Sequence, residues 1–168
     1  LITQEFPENQ FAWKVLGAIL GLTGRKSEAI NAKQRAVQLA PQDAEAHNNL
    51  AVTLQALGRL EEAEASYRQA IALKPDYAEA RNNLGITLQA LGRLEEAEAS
   101  YRQAIALNPD FAENHSNLGN TLRELGRLEE AEASHRKAIA LKSDFSEAHY
   151  NLGNTLQELG RSKDAEAS

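Results

Sequence analysis

Residues 78–111, with the sequence AEARNNLGITLQALGRLEEAEASYRQAIALNPDF, form a unit that recurs along the chain. When this segment is shifted back by 34 residues, it aligns with residues 44–77 and differs at only five positions. When it is shifted forward, it aligns with residues 112–145 and then with the residues from 146 onward. A fixed period of this length is typical of an array of stacked supersecondary units rather than of a single globular core.

Two apolar stripes with helical spacing run through each unit. In the quoted unit, Leu84, Leu88 and Leu91 lie at positions i, i+4 and i+7 of the first stripe. Ala97 and Tyr101 belong to the second stripe, which has the same kind of spacing. This periodicity predicts two amphipathic helices per unit. One pair of helices cannot bury both stripes, so we expect neighbouring pairs to stack.

The residues between the stripes predict where the helices end. Gly92 can take the left-handed conformation that stops a first helix, and Pro109 ends the second. Asp110 and Glu113 have the spacing of a capping box at the start of the next helix. The chain is therefore predicted to be all-α, with antiparallel helix pairs. The predicted helices cover residues 10–23, 27–39, 44–57, 60–73, 78–91, 94–107, 112–125, 128–141 and 146–159.

The units resemble the tetratricopeptide repeat (TPR), whose motif runs W-x2-L-G-x2-Y, then A-x3-F, then P. Trp13, Leu16, Gly17 and Leu20 match the opening of the motif. In the third unit the matching residues are Leu84, Gly85, Leu88, Ala97, Tyr101 and Pro109. The resemblance implies an α-solenoid, the TPR superhelix. The departures are His47, Arg81, His115 and His149 at the tryptophan position, Lys33 and His135 at the second aromatic position, and Ser143 in place of a proline.

The repeat boundaries divide the whole chain. Residues 1–9 are expected to be the tail of a truncated preceding repeat, because Pro7 occupies the position of the repeat-ending prolines. The absence of methionine and a start at Leu1 suggest a fragment of a longer protein. The predicted repeats are TPR 1 at 10–43, TPR 2 at 44–77, TPR 3 at 78–111, TPR 4 at 112–145 and a truncated TPR 5 at 146–168.

Composition limits the classes of partner. The net charge of −6 argues against binding to the phosphates of a nucleic acid. The chain has no cysteine, which excludes disulfides and thiolate metal sites. No apolar run approaches the length of a membrane span, and no signal peptide opens the chain. We expect a cytoplasmic protein with no membrane partner.

The sequence offers no reaction centre. His47, His115 and His149 hold the same position in different repeats, and stacked helices would keep them too far apart to share one metal ion. We interpret these histidines, and His135, as packing residues with a polar tip. The recurring glutamates of the second helices are interpreted as a solvated surface with i, i+4 ion pairs. The predictions are therefore no enzyme, no metal and no cofactor.

One face of the first helices is a candidate binding surface, because in TPR proteins this face lines the concave groove. Asn49, Asn83, Asn117 and Asn151 recur there, and we call them the asparagine row. An asparagine amide can both donate and accept, so such a row could hold an extended peptide backbone. It resembles the asparagine ladder of peptide O-GlcNAc transferases. Alternatively, duplication copied asparagines that only tolerate solvent. The candidate groove residues are Asn48, Asn49, Val52, Asn82, Asn83, Ile86, Asn117, Asn120, Asn151 and Asn154.

Another groove known in the family binds a terminal carboxylate through basic residues on successive first helices. Lys14 stands where the first of these would be, but Ala18 replaces the paired asparagine. Glu113 stands where a later lysine belongs. The sequence therefore predicts that this carboxylate clamp is missing.

The first repeat differs from the others on the same face. Phe11, Val15, Ala18 and Leu22 occupy the groove positions, and we call them the apolar patch. A helix that is apolar nearly all round is normally buried on both sides. We predict that a ligand, a neighbouring domain or a second copy covers this patch. The alternative is that it packs against the preceding segment.

The interpretation favoured by these observations is a protein–protein interaction module that binds an extended peptide in its groove. Two alternatives stay open. One is a substrate-presenting or spacer region of a larger glycosyltransferase or sulfotransferase type of enzyme, which regular arrays of this kind resemble. The other is a scaffold that self-associates through the first repeat or the open ends. Expected partners are proteins or peptides.

Overall fold

The computed structural model describes residues 5–160, and within this range it contains helices and turns but no strand. The segment from Gln10 to Glu158 forms nine helices. Their bounds are α1 Gln10–Leu22, α2 Lys26–Leu39, α3 Ala44–Gln55, α4 Leu60–Leu73, α5 Ala78–Ala90, α6 Leu94–Leu107, α7 Ala112–Glu124, α8 Leu128–Leu141 and α9 Ser146–Glu158. None of these helices is long and apolar enough to cross a membrane. Most of the predicted truncated helix before Pro7, and the residues after 160, lie outside the described range.

The observed bounds confirm the predicted helices to within two residues at each end. Each first helix is followed by a glycine with a φ between 72° and 76°. Only glycine adopts this left-handed conformation without steric cost, so it lets the chain reverse direction within a short turn. The five glycines are Gly24, Gly58, Gly92, Gly126 and Gly160.

One predicted capping interaction is wrong. The N-cap residue of α7 is Phe111, which makes no side-chain cap hydrogen bond. Asp110 therefore lies one residue too early to form the expected capping box with Glu113. Side-chain caps do occur at the first helices of the first two repeats. Asn9 accepts from the backbone N–H of Ala12 at 3.2 Å at the start of α1, and Asp43 accepts from that of Ala46 at 3.0 Å at the start of α3. The same position holds an aromatic residue in the later repeats, so the acidic cap is particular to α3.

The helices divide into two compact units, residues 5–87 and 88–160 of the described chain. In unit 1, α1 pairs with α2, α3 pairs with α4, and α2 packs against α3. In unit 2, α6 packs against α7, α7 pairs with α8, and α9 contacts both α8 and α7. Alanines are numerous among the buried residues of both units, because small side chains allow helices to approach closely.

Glycines mark the closest approaches between paired helices. A Cβ atom built on Gly17 would lie 2.7 Å from Cγ of Lys33, and one built on Gly119 would lie 2.5 Å from the imidazole of His135. These distances show that the two glycines make room for the residue at the second aromatic position. A Cβ on Gly153 would have no neighbour within 4 Å among the described residues, and the sequence that follows its helix after residue 160 lies outside that range.

Candidate peptide-binding groove

Exposed large apolar side chains are concentrated on the first helix of the pairs. In the described part of the chain, the second helices expose only Leu107, the last residue of α6. The first helices expose apolar residues in α1, α3, α5 and α9. These residues are Phe11, Val15, Ile19, Leu22, Val52, Ile86 and Tyr150. This asymmetry identifies the first-helix surface as the face on which a partner would gain most from burial.

The asparagine row has the same local geometry in every repeat that carries it. Each asparagine carbonyl accepts a hydrogen bond from a threonine hydroxyl four residues later, at 2.9–3.2 Å. This bond uses the backbone carbonyl of the asparagine and not its side-chain amide. The side chains of Asn49, Asn83 and Asn117 are half-buried, whereas Asn151 is buried.

Two of the predicted groove asparagines are taken up by packing inside unit 1. Asn48 is only 2% exposed, and its amide donates to the carboxylate of Glu79 at 3.3 Å. Asn82 is also buried, and its amide donates to Oδ1 of Asn83 at 3.4 Å. These side chains therefore contact protein groups rather than open surface.

The groove position three residues after the asparagine row differs between the units. In unit 1 it holds Val52 and Ile86, which are 41% and 36% exposed. In unit 2 it holds Asn120 and Asn154, which are half-buried. The face of the first helices is thus more apolar in unit 1 and more polar in unit 2.

The apolar patch is exposed along α1. Phe11 is 72% exposed and Leu22 is 89% exposed, and Val15 and Ala18 are also exposed. Sequence reasoning missed Ile19, which extends this surface.

Ile19 lies beside the patch but differs from it in its expected neighbour. One repeat later, Thr53 occupies the position of Ile19, and its hydroxyl accepts from Lys33 of the repeat before. Ile19 therefore lies on the side of α1 where a preceding repeat would pack. The patch residues Phe11, Val15, Ala18 and Leu22 occupy the predicted groove positions, and we call this face the groove side of the patch.

A small pocket lies beside the groove side of the patch in unit 1. Its volume is about 100 Å³, and we call it the unit-1 pocket. It is lined by α1, α2 and α3 through Lys14, Ala18, Lys33, Ala36, Ala46 and Asn49. Sequence reasoning placed Lys33 only as a substitute for an aromatic residue and did not bring it to the groove.

The two lysines of the unit-1 pocket have different surroundings. Nζ of Lys14 forms ion pairs with Asp43 at 3.2 Å and with Glu45 at 2.6 Å. Nζ of Lys33 instead donates to two neutral oxygens, the carbonyl of Asn49 at 3.0 Å and the hydroxyl of Thr53 at 2.6 Å. Burial lowers the pKa of Lys33 from its ordinary value because desolvation disfavours the charged ammonium.

The histidines of the first helices have a structural role. Nε2 of His47, His115 and His149 lies 2.9–3.0 Å from the carbonyl oxygen six residues earlier. Because a carbonyl oxygen can only accept, Nε2 carries the proton in each ring. Trp13 and Arg81 hold the same position and donate to Pro7 and Pro75 in the same way. Within residues 5–160 no group of three or more acidic or histidine side chains could hold a metal ion.

His135 occupies in unit 2 the position that Lys33 occupies in unit 1. Its ring is fully buried, and neither ring nitrogen has a hydrogen-bond partner among the described residues. Burial, and secondarily the positive charge of Arg123, lower its pKa to about 4. In the middle repeats this position holds Tyr67 and Tyr101, whose hydroxyls donate to Gln55 and Gln89.

The glutamates of the second helices form the predicted surface ion pairs. The i, i+4 pairs have N···O distances of 2.8–2.9 Å, and they are Glu64–Arg68, Glu98–Arg102 and Glu132–Arg136. Arg127 additionally joins Glu98 and Glu130 in unit 2. Exposed pairs of this kind add little stability, and they explain the acidic first turns without a catalytic role.

Comparison with known proteins agrees with this architecture. Family models described as tetratricopeptide repeat match residues 42–110 and 100–133, and one described as TPR repeat matches residues 119–160. No protein with curated annotation matches the chain significantly by sequence.

Solved structures of TPR proteins are similar over most of their length. The crystal structure of MamA protein has 23% identity and a TM-score of 0.88, and the match covers 96% of this chain and 88% of that one. YrrB, described as a TPR protein with an unusual peptide-binding site, has 20% identity and a TM-score of 0.80, with 98% and 84% covered. TTC0263, a thermophilic TPR protein of Thermus thermophilus, has 30% identity and a TM-score of 0.75, with 95% and 87% covered.

The fold is an all-α solenoid of helix pairs, the class of helical-repeat proteins. Within that class the chain belongs to the tetratricopeptide repeat family. It is a protein-interaction module, as its repeats and its exposed first-helix surface indicate.

Proposed function

We propose that the first-helix face binds an extended peptide segment through the asparagine row and the exposed apolar residues beside it. The observation that carries this proposal is the asymmetry of exposure, since large apolar side chains are exposed on the first helices and almost never on the second. Burial of such residues would supply affinity, and the asparagine amides would supply contacts to a peptide backbone.

The asparagines suit a backbone rather than a particular side chain. Their own carbonyls are already paired with threonine hydroxyls, which fixes the helix locally. An asparagine amide carries one acceptor oxygen and two donor N–H groups, which are the groups that complement a peptide N–H and C=O. The proposal is also supported by YrrB, a similar TPR structure described as having a peptide-binding site.

The test replaces all four residues of the asparagine row with alanine. Each lost hydrogen bond should weaken peptide binding by about 0.5–1.5 kcal/mol, measured by calorimetry with a peptide selected on the native chain. Helicity should stay the same or rise slightly, because alanine is the better helix former. The matched control replaces Asn31 and Asn108, which are exposed and lie outside the groove face. A much lower melting midpoint with unchanged affinity would mean that the asparagines are structural.

Self-association through α1 is a second candidate, favoured by the high exposure of Phe11 and Leu22. An apolar surface of this kind could meet the same surface of a second copy. Light scattering across a range of concentrations tests this directly. Phe11→Glu combined with Leu22→Glu should convert any oligomer to monomer while the helices remain folded. A native chain that stays monomeric at high concentration would rule this candidate out.

A further inference from the structure

We propose that the unit-1 pocket binds the carboxylate of an acidic side chain, aspartate or glutamate, in the bound peptide. This proposal rests on the peptide-binding function proposed above and adds a chemical preference to it. The pocket is formed by α1, α2 and α3, and its lining combines three alanines with Lys14, Lys33 and Asn49. Its volume of about 100 Å³ suits a group of the size of a carboxylate.

Lys33 is the lysine of this pocket whose charge is not compensated. Lys14 is already neutralised by Asp43 and Glu45, so it can contribute little further attraction. Lys33 contacts only a backbone carbonyl and a hydroxyl, and no carboxylate pairs with it in the described part of the chain. A half-buried ammonium without a counter-ion is costly, and an entering carboxylate would remove that cost.

The position of Lys33 also leaves a donor for the ligand. An ammonium has three N–H groups, and two of them point to Asn49 and Thr53. The third can donate to a carboxylate in the pocket, which gives a short, charge-assisted hydrogen bond. Asn49 lines the same pocket, and its side-chain amide can supply a second donor. Gly17 permits this arrangement, because the stem of Lys33 lies across it.

The surroundings of the pocket indicate an acidic side chain rather than a chain terminus. Ala18 belongs both to the pocket lining and to the groove side of the apolar patch. With helical spacing, Phe11 precedes Ala18 on the same stripe and Leu22 follows it. Apolar surface therefore continues on both sides of the pocket, so a peptide can pass over it and place one carboxylate between apolar side chains.

This site differs from the carboxylate clamp considered from the sequence. That clamp uses basic residues on successive first helices, and Ala18 and Glu113 break its pattern. Here the uncompensated cation comes from the second helix of the first repeat, at a position where the middle repeats carry tyrosine. The pocket is therefore a property of the first repeat and cannot occur in the second or third.

Selection from a peptide library tests the proposal. The native chain is used to enrich random nine-residue peptides that are acetylated and amidated, and the enriched sequences are read for residue preference. We expect aspartate or glutamate to be enriched at one position that is flanked by apolar residues. The best peptide should lose affinity about tenfold when its acidic residue becomes the corresponding amide. Lys33→Met should abolish this discrimination, and Lys33→Arg should keep part of it.

Lys26→Met is the matched control, because Lys26 is an exposed lysine on the same helix and its removal changes the net charge equally. It should leave the preference for an acidic residue intact. Apolar enrichment without an acidic position would overturn the pocket proposal and leave the groove proposal standing. Failure to enrich any peptide would overturn both. A second selection uses a library of peptides with free carboxyl termini. Binding that depends on the terminal carboxylate instead of a side chain would contradict the proposal that the pocket binds an acidic side chain.

Discussion

The first and fourth repeats replace the same tyrosine with different polar residues, and the results are different. Lys33 lies in unit 1 and His135 in unit 2, and each packs against a glycine of its partner helix. Lys33 reaches two hydrogen-bond acceptors on α3 and is half-buried. His135 is fully buried and has no hydrogen-bond partner among the described residues. The same position therefore gives a candidate ligand contact in one unit and a polar core residue in the other.

The difference between Lys33 and His135 follows from the length of the two side chains and from the first-helix residue that lies opposite each of them. In the middle repeats a glutamine on the first helix accepts from the tyrosine hydroxyl, as Gln55 does for Tyr67. The first repeat has Gly21 at the glutamine position, and the fourth has Arg123. A flexible lysine can reach beyond its own repeat to find acceptors. A short imidazole cannot, and Arg123 offers it a like charge instead of an acceptor.

The largest expected effect is a pH dependence of the free energy of unfolding that comes from His135. The pKa of His135 is about 4 in the folded chain and 6.5 as its ordinary value, so the unfolded chain binds the proton more tightly. The stability of the fold is therefore free of this protonation penalty above pH 6.5, and stability is lost as pH falls through 6.5 towards 4. The loss should reach about 3 kcal/mol, since one pKa unit is worth about 1.4 kcal/mol.

Chemical denaturation at about pH 7.5 and about pH 4.5 measures this loss, and His135→Tyr is the reference. The native chain should lose more stability between the two pH values than the variant does. Lys33 differs from His135 in that its ordinary pKa of 10.5 lies above this pH range, and burial lowers its pKa from that value. Equal slopes for the native chain and the variant would show that the imidazole is not buried as described.

The next largest effect is a loss of stability on substitution of Gly119, the glycine that faces His135. Gly119→Ala places a methyl group 2.5–2.8 Å from the ring of His135, which is fully buried. Overpacking of this kind should destabilise the chain by about 1–3 kcal/mol in thermal or denaturant unfolding. The matched control is Gly21→Ala, where the added Cβ has no neighbour within 4 Å. That change should stabilise the chain by up to about 1 kcal/mol through helix propensity. Effects of the same sign at both glycines would contradict the close approach between Gly119 and His135.

A smaller gain should come from restoring the tyrosine and its acceptor in the fourth repeat. His135→Tyr with Arg123→Gln recreates the pair that Tyr101 and Gln89 form in unit 2. It removes two unpaired buried nitrogens and should raise the free energy of unfolding by about 1 kcal/mol at neutral pH. Each single substitution should gain less than the pair. A lower melting midpoint for the double variant would mean that the ring of His135 has a favourable contact which the geometry does not show.

The sequence predicted the helices well, because apolar spacing and turn glycines are local signals repeated five times along the chain. It also singled out the first-helix face, on which most of the exposed large apolar side chains lie, and the exposed apolar patch of α1. It missed Ile19 and the role of Lys33, since the reach of a lysine across repeats depends on three-dimensional packing. It also misplaced a cap at Asp110, because a shift of one residue at a helix start is beyond what spacing can resolve. Asn48 was placed in the groove by helical angle, which cannot distinguish an open surface from a contact with the next helix, and its amide in fact donates to Glu79 of α5.

The most direct measurement compares Lys33→Tyr with His135→Tyr, using one peptide selected on the native chain. Both variants insert the tyrosine of the middle repeats at the same position. We expect Lys33→Tyr to weaken binding about tenfold with little change in melting midpoint. We expect His135→Tyr to leave binding within about twofold of the native chain and to raise the melting midpoint. Equal effects of the two changes on binding would contradict the claim that only the first repeat turns this position towards a ligand.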